Sequence, residues 1–125
     1  MPTFFKGRTL LVGDAAHPMT PHQGQGPSQG VEDAEALRLF NDRDVDRSSV
    51  SDTLKLIDSV RRPRASHVQT HTRVAEHEEG KMALLTHMLY NWQYPGIHEC
   101  LRRLDAGQEM LSPVNPLPAH WIFPS

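Results

Sequence analysis

Asp14 follows Gly13 at the end of the apolar run Thr9-Leu10-Leu11-Val12, and a loop with glycines at Gly24, Gly26 and Gly30 leads on into a helical pattern. Glycine lets backbone approach a ligand closely or adopt positive φ. A helix that starts in such a loop turns its unpaired N–H groups and the positive end of its dipole back into it. That corner welcomes an anion or an electron-rich edge. Asp14 narrows the choice, because a carboxylate repels phosphate and accepts hydrogen bonds from hydroxyl groups. Its place at the carboxyl end of a buried strand is where open α/β sheets collect ligands. The combination asks for a ligand with sugar-like hydroxyls and an electron-rich edge. A phosphate loop of the Walker type needs a lysine before Ser or Thr at its end, and none stands here.

The elements that must hold this corner can be read from periodicity. Thr9 to Val12 is a short continuous apolar run, the pattern of a strand covered on both faces. After Pro27, a favoured first helical residue, Val31, Ala34, Leu37 and Phe40 recur as an apolar stripe with Glu32, Asp33, Glu35 and Arg38 between them. A polar connection from Asn41 to Asp52 precedes a second stripe, Leu54, Ile57 and Val60. Pro63 should stop or kink that helix, with a restart through Ala65, Val68, Thr72 and Ala75. Gly80 is a break, Met82, Leu85 and Leu89 make a short stripe, and Tyr94-Pro95-Gly96 is a turn. Ile97, Leu101 and Leu104 form a last helix closed by Gly107, before a proline-punctuated tail. A strand covered on both faces cannot satisfy its backbone alone, yet no later run matches it as a partner. The expectation is one short strand, unpaired or edge-paired, followed by three or more helices.

Gly13 to Ala34, "GDAAHPMTPHQGQGPSQGVEDA", resembles the second flavin-binding motif of the FAD-dependent aromatic-ring monooxygenases, the group of salicylate hydroxylase and para-hydroxybenzoate hydroxylase. "RRPRASHVQTHTR", Arg61 to Arg73, and "HWIF" in the tail are similar to the salicylate hydroxylase branch. The resemblance implies FAD as cofactor and NAD(P)H as reductant, with hydroxylation of a phenolic ring by O2. It implies that Gly13 and Asp14 meet the ribityl chain, and that Pro21, Gly24, Gln25 and Gly26 lie along the isoalloxazine ring. Where the family has a small residue followed by Asn, this chain has Pro27 and Ser28, so the contact to the pyrimidine carbonyl would rest on Ser28. The G-x-G-x-x-G fingerprint for the ADP half of FAD and the middle DG motif do not occur in the sequence. The resemblance is thus to the carboxyl-terminal part of such an enzyme, incomplete by itself.

Other chemistry-bearing residues read more blandly. His17 and His22 have the chemistry of bases, but loop histidines beside a cofactor more often hold backbone or packing. His67 and His71 share a helix face, yet no third ligand and no HExxH follow, so no metal is expected. Arg61, Arg62 and Arg64 could meet a nicotinamide phosphate; a short basic run at a helix junction is more often solvated or salt-bridged. Met82, Met88, Trp92 and Tyr94 read as packing residues. No catalytic residue is assigned.

At 125 residues, with 38% apolar and 6% aromatic residues and ten prolines, the chain has material for at most one domain with a thin core. A formal net charge of -2 gives no reason to expect nucleic acid or an anionic membrane as partner. No run approaches the roughly 20 apolar residues of a membrane span, and no signal peptide is visible. The single cysteine, Cys100, suits a reducing compartment, so the cytoplasm is expected. The expected fold class is α/β by parentage, this chain being a mostly helical fragment with one short strand. Residues 1–48 would carry the flavin motif, 49–108 the helical region and 109–125 the tail. Expected partners are FAD, a small aromatic substrate, and a missing FAD- and substrate-binding region or a complementing chain. Two alternatives stand beside this: a non-catalytic helical partner that binds a protein, and one half of a split enzyme completed in trans.

Overall fold

The computed structural model describes residues 2–21, 25–42, 44–74 and 89–109. The expectations for His22, Gly24, Ala75, Gly80, Met82, Leu85, Met88 and the tail lie outside these residues, as do those for the side chains of His71 and Thr72. Within them the chain is mostly helical, with one small sheet.

The spine is a long helix, here α3 (Val50–Val74), preceded by Asp46, whose carboxylate accepts the backbone N–H groups of Ser48 and Ser49. Leu54, Ile57, Val60, Ala65 and Val68 are all buried, as their helical spacing predicts. The helix runs on through Pro63, which corrects the stop half of the expected stop or kink. Proline removes the bond to the carbonyl four residues earlier. Here Pro63 and Ser59 both lie on the exposed side, where water can take the freed carbonyl.

Two strands, β1 (Phe5–Lys6) and β2 (Thr9–Leu10), form an antiparallel hairpin with Phe5 opposite Leu10. Gly7 turns it with φ +60°. The strand expected over Thr9 to Val12 is therefore shorter and has a partner. Leu11 and Val12, 38% and 46% exposed, are not covered as expected. A two-stranded hairpin has no second layer to lay over them. Phe4 is buried against Ala16 and Ala65, and its N–H donates to Asp58 of α3 at 2.8 Å, which fixes the hairpin to the spine.

The next helix, α1 (Gln25–Ala36), begins two residues before Pro27, which takes a first-turn position where an N–H has no acceptor within the helix anyway. Its orientation corrects the sequence reading. Val31 and Leu37 of the expected core stripe are 70% and 41% exposed, and Ala34 is also exposed; the buried residues are Gln25, Gln29, Asp33 and Ala36. The polar face turns inward because α3 presents two arginines there, and buried polar groups must be paired. A short helix, α2 (Leu39–Asp42), adds Leu39 to a core of Ala36, Leu54, Ile57, Val60, Ile97 and Cys100.

Residues 89–92 are helical, here α4, and after a bend at 93–96 the last helix, α5 (Ile97–Asp105), closes the core with Ile97 and Cys100. Gly107, at φ +69°, follows its end as expected, and its N–H returns to the Leu104 carbonyl at 3.0 Å. No helix among the described residues is long and apolar enough to cross a membrane.

Candidate functional site

After β2 the backbone makes a single 3-10 turn, Gly13–Ala15. Gly13 has φ +59°, a conformation open to glycine and costly for most side chains. Its carbonyl accepts the N–H groups of Ala16 and His17 at 3.0 and 2.9 Å, which closes the turn. Asp14, at the tip, is exposed and makes no hydrogen bond among the described residues. It faces the first turn of α1: a Cβ built on Gly26 would stand 3.8 Å from Asp14 Oδ1. The structure thus brings Gly26 to the Gly13-Asp14 turn, from which the sequence separates it.

Gln25 is buried at the start of α1, whereas Pro21, Pro27 and Ser28 are exposed. Gly24 lies outside the described residues. Gly26 is helical and does not use positive φ, which corrects that part of its expected role. Around Gly26 the geometry leaves space. A Cβ at Gly26 meets nothing closer than Asp14, and one at Gly30 meets nothing within 4 Å. Among the described residues no packing requires glycine at either position, although glycine weakens a helix.

Behind the turn lies a buried polar network whose form the sequence reading missed. Asp33 accepts the Gly13 N–H at 2.9 Å, His17 Nε2 at 2.6 Å and Arg61 Nε at 2.8 Å. Burial pushes the Asp33 carboxyl up, and the hydrogen bonds from His17, Gly13 and Arg61 more than offset it, holding the group below its ordinary value. Arg61 also bonds Glu32 and both oxygens of Gln29. Arg64 holds Glu32 with two bonds and reaches the Asn91 carbonyl at 2.8 Å. Tyr94 lies under both guanidinium groups and Tyr90 under that of Arg64. Burial raises the hydroxyl pKa of both tyrosines, so they stay neutral.

This settles several residues left open. Arg61 and Arg64 are salt-bridged but buried rather than solvated, and their charge is committed to Glu32 and Asp33. Arg62 is half-exposed and pairs with Asp58. His17 is buried and holds packing, as the bland reading had it, through Asp33 and the Phe4 ring. The legible signal was spacing. Gln29 and Glu32-Asp33 on one helix match Arg61 and Arg64, three apart, on another. Among the described residues no group of three His, Cys, Asp or Glu could hold a metal ion. Two surface grooves, of about 480 and 330 Å³, lie beside His98 and Tyr94, and neither is lined by Gly13, Asp14 or Gly26.

A profile described as FAD binding domain matches residues 1–72, the hairpin, the turn, α1 and most of α3. The chain belongs to this FAD-binding family. Salicylate hydroxylase from Pseudomonas putida is 49% identical over 70 residues, 55% of this chain and 16% of that protein. 3-Hydroxybenzoate 6-hydroxylase 1 from Aquipseudomonas alcaligenes is 35% identical over 99 residues, 76% of this chain and 24% of that protein. A solved structure, a salicylate hydroxylase substrate complex, superposes with a TM-score of 0.58 at 38% identity, covering 85% of this chain and 23% of that one. The chain thus spans between a sixth and a quarter of the length of these relatives.

Proposed function

We propose that this chain is the flavin-contacting portion, from the carboxyl-terminal part, of an FAD-dependent monooxygenase that uses NAD(P)H and hydroxylates a phenolic ring. The observation that carries the reading is Asp14, an exposed carboxylate that makes no hydrogen bond among the described residues, set beside the open face of Gly26 at the start of α1. The residues present fit the ligand. Asp14 would accept a hydrogen bond from a ribityl hydroxyl, with Gly13 forming the turn beneath it. Pro21, Gly24, Gln25 and Gly26 would border the ring, and Ser28 would face its pyrimidine edge. The positive end of the α1 dipole would favour negative charge there. FAD, when bound, supplies the electron transfer and oxygen chemistry. The protein's part is to hold and orient it.

The domain reading follows the same line, with residues 1–48 as flavin motif, 49–108 as helical support and 109–125 as tail. Activity would require the rest of such a flavoprotein, joined to this chain or supplied as a second one. The exposed apolar residues Leu11, Val12, Val31 and Leu37 favour a covering partner. A buried Cys100 agrees with the cytoplasm as location.

The test supplies the complementary family region, fused or in trans, and reads flavin absorbance after gel filtration. The restored protein should be yellow and consume NAD(P)H and O2 with a phenolic acid. Asp14→Ala should lose FAD, the bond to a charged group being worth about 1.5–3 kcal/mol. Gly26→Val should lose more, because a branched side chain fills the space beside Asp14. Full retention of FAD by both variants would sink the assignment.

A further inference from the structure

Asp14 makes no hydrogen bond among the described residues, so its position comes from the backbone on either side. That backbone is held by one side chain. Asp33 takes the Gly13 N–H on its Oδ2, takes His17 Nε2 on the same oxygen, and is itself anchored through Oδ1 by Arg61 Nε. Gly13 and His17 bracket the residues that present Asp14. Asp33 and His17 are 4% and 1% exposed, so the clamp is shielded from competing water. Asp33 also stands on α1, two helical turns beyond Gly26, so both halves of the candidate site are referred to one rigid element.

We infer that Asp33, with His17 as its second anchor, is a positioning residue for flavin binding: it fixes the Gly13–His17 backbone so that Asp14 is set over the first turn of α1. The inference rests on the flavin reading above. An unpartnered carboxylate on a free turn would sample many positions, and ordering it on binding would subtract from affinity; a clamped turn removes that loss beforehand. The role of His17 is narrow. A carboxylate only accepts, so Nε2 carries the hydrogen between them, while Nδ1 is buried with no hydrogen-bond partner among the described residues. Only one imidazole nitrogen is used, and a glutamine amide can supply that N–H.

The experiment titrates the labelled 125-residue chain with FAD and follows amide resonances, which register even millimolar binding. Hydrogen exchange is read at Gly13 and, as a global reference, at Leu54, Val60 and Val68 of α3. His17→Leu and Asp33→Asn should speed Gly13 exchange and weaken FAD binding, each about tenfold, the loss of roughly one hydrogen bond to a charged group. The α3 amides should stay within about twofold of wild type, and His17→Gln should restore both readouts. Asp14→Asn should weaken FAD binding while leaving Gly13 exchange unchanged. If His17→Leu changes neither readout while Asp14→Asn weakens binding, the inference fails and the flavin reading stands. If α3 exchange rises in step with Gly13, Asp33 is merely structural and the inference fails. If Asp14→Asn binds as wild type, or wild type shows no response to FAD, the inference fails, and the flavin reading is decided by the restored protein described above. Should Asp33→Asn not fold, the two His17 variants decide.

Discussion

Arg64 on α3 holds Glu32 on α1 by two parallel bonds, Nε to Oε2 at 2.6 Å and Nη2 to Oε1 at 2.7 Å, in a place where the arginine side chain is 1% exposed. The same guanidinium reaches the Asn91 carbonyl and rests on Tyr90 and Tyr94, so one residue ties α1, α3 and the segment before α5 together. Burial opposes the arginine charge and Glu32 sustains it, the balance raising its pKa. Removing one partner of such a pair leaves a buried, uncompensated charge, which costs about 3–5 kcal/mol. Arg64→Ala should therefore lose most of the stability of a small domain in urea denaturation. Arg64→Lys should recover only part, since an ammonium cannot make the planar two-bond contact. A lysine variant as stable as wild type would show that charge alone suffices.

Stability should fall on acidification in a specific window. The folded pKa of Asp33 lies below its ordinary 3.8, so the carboxylate contributes fully above that value. Its contribution is lost as pH falls through the lower folded value, where protonation removes an acceptor from His17, Gly13 and Arg61. Thermal midpoints from about pH 5 down to about pH 2.5 should drop more in wild type than in Asp33→Asn. The exposed Glu99, held at about 2 by Arg102 and Arg103, is present in both proteins, so the difference isolates Asp33. Equal slopes would contradict the assigned direction.

Gly96 should tolerate no side chain. Its φ is +101°, and a Cβ there would stand 3.3 Å from Glu35 Oε1, the carboxylate that accepts the Ile97 N–H at the start of α5. Gly96→Ala should cost about 1–3 kcal/mol from backbone strain. Gly30→Ala, in open space within α1, should gain about 0.5–1 kcal/mol instead. Chemical denaturation of the two variants should give shifts of opposite sign, and shifts of the same sign would contradict these two assignments.

Legibility followed the kind of force involved. The buried stripe Leu54, Ile57, Val60, Ala65 and Val68 was readable because apolar burial repeats with the helix period. Gly107 was readable as a helix stop for a local steric reason. The inward face of α1 was not. Val31 and Leu37 have the right spacing for a core, but the partner across the gap is Arg61 with Arg64, and that pairing joins residues some thirty positions apart in sequence. Pro63 does not end α3 for a related reason, since Arg61 before it and Arg64 after it make long-range contacts that hold the helix on both sides. At the candidate site the motif made Gly13, Asp14 and Gly26 visible as types. That Asp33 and His17 hold the turn behind them needed the fold.

Gly26 offers the sharpest separation of stability from binding. It is helical, so no positive φ demands glycine, and among the described residues a methyl there would meet only Asp14 Oδ1 at an ordinary 3.8 Å. Considered as part of the free chain, Gly26→Ala should stabilise it by about 0.5 kcal/mol through helix propensity, and the thermal midpoint should rise slightly. Considered as part of a flavin site, the same methyl occupies the space between the helix start and the Asp14 carboxylate, where a ribityl chain or ring edge has to come close. FAD affinity, measured by titration in the same preparation, should therefore fall by about tenfold, the loss of roughly 1.4 kcal/mol of contact. A rise in both stability and affinity would mean that no ligand approaches α1 on this side, and the open space at Gly26 would need another explanation.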